Sequence, residues 1–181
     1  MFAENGYEST STASIARAAG TSESQLIKHF GGKAGLLDSI FVEGWNGLTA
    51  GLSARLASIP ASVERLRTIP RFLFEALDQD PELRQLMLLE GRRIRREGRL
   101  ATLTGGFLGF VHVVDATLEE MRSTGQIRPG LNPLAIRSAL IGLTEGALRD
   151  QLLAERAGQA SEFTTDQIGA LADALIESIT V

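Results

Sequence analysis

Three groupings of residues in this chain have types and spacings that could do chemistry. The first is polar and lies near the N-terminus, where Thr10, Ser11, Thr12 and Ser14 surround the start of one short segment and Thr21, Ser22, Ser24, Gln25, Lys28 and His29 fill a second. Hydroxyl and carboxamide groups in such places cap helices or bond to phosphates and base edges. The second grouping is the basic run Arg92, Arg93, Arg95, Arg96 and Arg99. It suits an anion, but with Glu90 and Glu97 interleaved it equally suits a solvated face of weak ion pairs. The third is His112 with Asp115, three residues apart and therefore neighbours on a helix surface. Metal binding or acid-base work is open to such a pair. With two His and no Cys in the chain, however, little remains to complete a metal site. A buried His satisfied by its carboxylate is the plainer reading, with a ligand contact as the sharper one. No nucleophile motif, phosphate loop or metal-ligand cluster occurs, so no catalytic activity and no cofactor are expected; His112 with Asp115 is the best enzyme candidate.

The elements that must position these residues read as helices throughout. A hydrophobic content of 44 % and a charged content of 22 % over 181 residues fit a folded body with a buried core. One Tyr and one Trp, with no apolar alternation between hairpin turns, leave strands without support. The absence of Cys fits a reducing cytoplasm. The most apolar stretch, 106–114, is far shorter than the roughly 20 residues a membrane span needs. A net charge of -4 rules out coating nucleic acid by bulk positive charge, so any such contact is local.

Cap and periodicity signals place helices over about 11–19, 22–29, 33–59, 62–78, 80–98, 100–124, 132–157 and from Thr164 or Thr165 to the end, after a stub that Gly6 stops. Pro70 is expected to kink or split the fourth of these. The 33–59 helix spans roughly 40 Å, enough to join two bodies rigidly. Ala19-Gly20-Thr21-Ser22 joins the first two helices in the shape of a helix-turn-helix, whose second helix can enter a major groove.

Phe2-Ala-Glu-Asn-Gly-Tyr7, Thr10-Ser-Thr-Ala-Ser-Ile-Ala16, Ala19-Gly-Thr-Ser22, His29-Phe30 and Lys33 follow in order and spacing the N-terminal domain of TetR-type regulators. The motif resemblance covers about 2–37; beyond it only the count and order of helices are similar. It implies an all-α protein with a helix-turn-helix DNA-binding domain over 1–40 and a helical effector-binding and dimerisation domain over 41–181. Ser22 to His29 becomes the recognition helix. Gln25 is expected to read adenine through N6 and N7. Ser24 is expected to bond a base or a phosphate, and Lys28, His29, Thr10 or Ser11 to face phosphates. Lys33 stands where the family holds a phosphate beside a helix start. Ile27 replaces the family's usual Tyr at a backbone-contacting position.

The family's first helix lies mostly upstream of Met1 on this alignment. Over Met1 to Ile40, Arg17, Lys28 and Lys33 face Glu4, Glu8, Glu23 and Asp38, whereas a DNA-binding unit is expected to be locally basic. Two readings therefore stand: a regulator, with repression of an inverted-repeat operator relieved by a small-molecule effector, or a ligand-binding helical dimer without operator binding.

In the larger part, Phe72, Met87, Phe107, Phe110, His112 and Met121 are the candidates for an effector pocket, with plain core packing as the alternative, and Phe74 accompanies them. Leu134, Ile141, Gly142, Gly146, Leu148 and Leu152, with Ile168, Leu171 and Leu175 on the last helix, are the candidates for a homodimer interface. That assignment follows from the resemblance, since internal packing uses the same stripe.

Overall fold

The computed structural model describes residues 1–90 and 104–181, all helix and connections apart from one antiparallel bridge between Ile127 and Thr180. The helices are α1 (Phe2–Ser9), α2 (Thr12–Ala18), α3 (Glu23–Phe30), α4 (Lys33–Leu56), α5 (Val63–Gln79), α6 (Pro81–Gln85), α7 (Thr104–Ser123), α8 (Pro133–Arg156) and α9 (Thr165–Ile179). A π-helical turn, Leu86–Glu90, continues α6. No helix among the described residues is long and apolar enough to cross a membrane.

Local chemistry sets most boundaries. Ser11, Ser22, Ser62, Asp80, Asn132 and Thr164 each accept a backbone N–H at a helix start, satisfying donors the helix cannot reach itself. Pro81 and Pro133 occupy first positions, where a missing N–H costs nothing. Gly6 interrupts α1 at φ 75°, and the chain resumes a short helical turn to Ser9. Pro70 does not split its helix: α5 runs through it from Val63 to Gln79. Leu66, Ile69, Leu73, Phe74 and Leu77 are all buried along it, Pro70 with them. The packing of that face outweighs the local loss of one hydrogen bond.

Two apolar clusters result. The larger joins α4, α5, α7, α8 and α9, with Leu52, Leu66, Phe110, Leu118, Met121 and Ile176 fully enclosed. The smaller holds Phe2, Ala3, Leu37, Phe41 and Leu86, with Ile15, Leu36 and Ile40 half-buried against it. Met87 packs on both. Helix α4 runs from the small cluster into the large one, so it carries the N-terminal helices on the body. Gly106 sits where α7 crosses α4: a Cβ there would meet Trp45 Cβ at 2.7 Å and the Val42 carbonyl oxygen at 3.1 Å, a close approach that only glycine permits.

Candidate nucleic-acid interface

The polar N-terminal residues fold into two short helices joined by a tight turn. Gly20 at φ 66° makes the turn after α2, and Ser22 in extended conformation starts α3. Ala16 and Leu26 are buried between the two helices. Glu23, Ser24, Gln25, Ile27, Lys28 and His29 are exposed, leaving one polar flank of α3 open over its whole length. Gly31 at φ 76° ends the helix, its N–H bonded to the Ile27 carbonyl at 2.8 Å. The His29 and Phe30 rings meet edge to face at 4.5 Å.

Several expected contacts are corrected by this geometry. Thr10 is buried, and its hydroxyl donates to the Gly6 carbonyl at 2.8 Å, so it is not available to a phosphate. Ser11 is exposed, with its oxygen accepting from Ser14 N at 3.1 Å. Lys33 donates through Nζ to the carbonyls of Tyr7 at 2.8 Å and Glu8 at 3.4 Å, and stands 4.3 Å from the Tyr7 ring centroid; it closes the end of α1 instead of presenting a free cation. Gln25 completes a capping box with Ser22. Its Oε1 accepts from Thr21 Oγ1 at 2.6 Å and from Ser22 N at 3.5 Å, while its own N–H bonds Ser22 Oγ at 3.2 Å. Adenine reading needs both ends of the carboxamide, and one end is committed to the helix start. The Ser22-x-x-Gln25 spacing itself carried the signal for this. Missed altogether was the hydrogen bond from Thr12 Oγ1 to Glu23 Oε1, which ties the start of α2 to the start of α3.

In the body, the candidate pocket residues divide. Phe110 and Met121 are wholly enclosed in the large core. Phe107 and Phe110 gather around Trp45, with centroids at 4.9 and 5.4 Å. Phe72 is half-buried and lies where a Cβ on Gly51 would touch its ring at 2.9 Å; Met87 is half-buried between the clusters and Phe74 is core. His112 is exposed, against the buried placement expected for it, and Asp115 pairs with Arg137 at 2.7 Å instead. No group of three or more potential metal ligands occurs among the described residues. The basic run from Arg92 to Arg99 lies outside the described residues.

The interface candidates divide as well. Leu148 and Leu152 are each only 4 % exposed and belong to the protomer's own core. Ile141, Ile168 and Leu175 pack half-buried against that core. Leu134 and Leu171, by contrast, are 54 % and 52 % exposed, and Leu153, not singled out from sequence, is 48 % exposed. Cβ atoms on Gly142 and Gly146 would meet nothing within 4 Å.

An exposed, capped second helix held by a tight turn against its predecessor defines a helix-turn-helix. Residues 1–40 match the family model of bacterial regulatory proteins, tetR family. Over 142 residues the chain is 25 % identical to the fatty acid metabolism regulator protein of Bacillus subtilis (strain 168), covering 78 % of this chain and 73 % of that one. Similar solved structures include the fatty acid degradation regulator FadR from Bacillus halodurans, at a TM-score of 0.81 and 21 % identity, covering 97 % and 86 % of the two chains. FadR from Bacillus subtilis in complex with stearoyl-CoA matches at 0.80 and 21 %, covering 97 % and 90 %. The ketosteroid regulator KstR2 of Mycobacterium tuberculosis matches at 0.71 and 21 %, covering 100 % and 90 %. Residues 1–40 are thus similar to the DNA-binding part of tetR-family regulatory proteins, and over most of its length the chain is similar to a regulator.

Proposed function

We propose that the protein is a cytoplasmic homodimeric repressor whose operator binding is released by a small amphipathic effector, with a fatty acyl thioester of coenzyme A as the first chemistry to test. The observation that carries the DNA part is the exposed flank of α3, polar from Glu23 to His29 apart from Ile27 and fixed at both ends by Ser22 and Gly31. Two such helices, related by a two-fold axis, enter successive major grooves of an inverted repeat about 34–36 Å apart. In this reading 1–40 is the DNA-binding domain and 41–181 the effector-binding and dimerisation domain, with α4 shared between them.

Leu134 and Leu171, each more than half exposed, support the dimer, since a second copy can cover them without disturbing the protomer core. The acyl-CoA class is suggested by the stearoyl-CoA complex of the similar Bacillus subtilis regulator and by two features of this chain. Trp45 and Phe107, half-buried and edge to face at 4.9 Å, form an aromatic pair between α4 and α7. The five arginines between Arg92 and Arg99 precede α7 in sequence, and guanidinium groups suit phosphate.

The test is a titration of a selected inverted-repeat duplex with wild-type protein and Lys28→Ala, with and without long-chain acyl-CoA. Lys28→Ala is expected to weaken binding at every sequence and to lower the salt dependence, and acyl-CoA to release the wild type. Unchanged binding by Lys28→Ala removes α3 from the DNA, and indifference to acyl-CoA removes that effector class.

A further inference from the structure

The commitment of Gln25 to the helix start leaves open which side chain reads sequence, and the first turn of α3 holds a better-placed group. Glu23 is the first residue of the recognition helix and is exposed. Its Oε1 accepts from Thr12 Oγ1, across the turn from α2. Among the described residues that is its hydrogen bond, so Oε2 remains to accept from outside the protein. A long flexible carboxylate is thereby held in one rotamer at the end of the helix that faces base edges.

We propose that Glu23 is a sequence-reading residue and that the base it selects is cytosine. This rests on the operator-binding reading given above. An ionised carboxylate only accepts hydrogen bonds. In the major groove cytosine alone presents a donor without a neighbouring acceptor on its own edge, through N4. Adenine adds N7, guanine presents N7 and O6, and thymine presents O4 and a methyl group. Glu23 thus gains an unopposed bond at cytosine, whereas adenine offers its N6 donor only beside the N7 acceptor, and guanine and thymine present acceptors or a methyl. The same negative charge repels phosphates, so it suppresses binding to duplexes that lack the matching amino group. Thr12 is a positioning residue: it touches no base and acts by fixing the carboxylate.

Selection from randomised duplexes by the full chain, followed by titration of the recovered operator and its single-base variants, tests this. Wild type is expected to enrich one cytosine placed symmetrically in each half-site, and replacing it is expected to cost roughly tenfold in affinity. Glu23→Ala is expected to flatten that position to within about twofold while preserving the others. Glu23→Gln is expected to transfer the preference to adenine, and Thr12→Val to retain cytosine with a shallower preference. An enriched operator whose cytosine preference survives Glu23→Ala, or one with no cytosine that responds to it, overturns the assignment and leaves operator binding standing. Enrichment of no duplex by wild type overturns operator binding, and the assignment falls with it.

Discussion

Replacing Gly35 by Ala separates a stability effect from a geometric one. Gly35 lies in the first turn of α4, and a Cβ there would overlap the Phe30 carbonyl oxygen and approach its carbonyl carbon at 2.9 Å. Both atoms are backbone, so no side chain can rotate away, and the end of α3 must move off α4. Forcing extra volume into such a contact costs about 1–3 kcal/mol, against which the helix-propensity gain of Ala over Gly offsets at most about 1 kcal/mol. Gly47 is the matched control on the same helix, because a Cβ there meets nothing within 4 Å; Gly47→Ala should stabilise by about 0.5–1 kcal/mol. For a chain of this length 1 kcal/mol moves the melting midpoint by about 2–4 °C. Thermal unfolding followed by circular dichroism should therefore place Gly47→Ala a few degrees above wild type and Gly35→Ala below it. Operator titration well under both midpoints then isolates the displacement of the recognition helix: Gly35→Ala should bind much more weakly and Gly47→Ala as wild type. A Gly35→Ala protein that melts at or above wild type and binds normally would show that α3 is not pinned by this contact.

Three further outcomes are expected. Leu134→Glu with Leu171→Glu should give a folded monomer by sedimentation, since both side chains are more than half exposed in the protomer, whereas Leu152→Ala should lower stability by about 2–5 kcal/mol because that residue is core; a double variant that sediments as wild-type dimer places the interface elsewhere. Ser22→Ala removes the cap of α3 and should cost about 1 kcal/mol, read as a lower denaturant midpoint with an unchanged slope. Arg17 and Lys28 are the exposed cations of the first 40 residues once Lys33 is engaged, so a dimer should show a slope of log affinity against log salt of about -4, and a slope near -10 would mean that other cations reach the phosphates.

What was legible in the sequence was local. Ser22, Asp80-Pro81, Asn132-Pro133 and Thr164 announce helix starts because a cap is made within three residues of itself, and the structure places a helix after each. The capping box at Ser22 and Gln25 was equally local, yet the base-reading role drawn from the resemblance displaced it. The split expected at Pro70 did not occur for the opposite reason: a local rule met a face of five buried apolar side chains. The commitment of Lys33 to Tyr7 and Glu8 joins positions 26 and 25 residues apart, beyond anything periodicity can report. Helix α8 shows the limit most plainly, since Leu148 and Leu152 face the protomer core while Leu134 and Leu153 face outward. One stripe of leucines cannot tell an interior from a partner, because both are simply places without water.

The proposed release by an effector requires the body to bias the angle at which α3 is presented, and two routes connect them. One is α4 itself, with Leu37 and Phe41 buried in the N-terminal cluster and Leu48, Leu52 and Leu56 in the body. The other runs through the end of α6 and the end of α8: Gln85 Nε2 and Arg156 both donate to the Ala3 carbonyl, the latter at 3.3 Å, while neighbouring Arg84 and Glu155 pair at 2.8 Å. Because α8 also carries the outward leucines, a tilt of the N-terminal helices is referred to the proposed two-fold axis as well as to the effector side. An effector need only prefer the arrangement that misplaces α3 by about 1.4 kcal/mol to change operator affinity tenfold. That is comparable to what one or two of these hydrogen bonds contribute, so a modest rearrangement where α6 meets α1 is energetically sufficient for the proposed release.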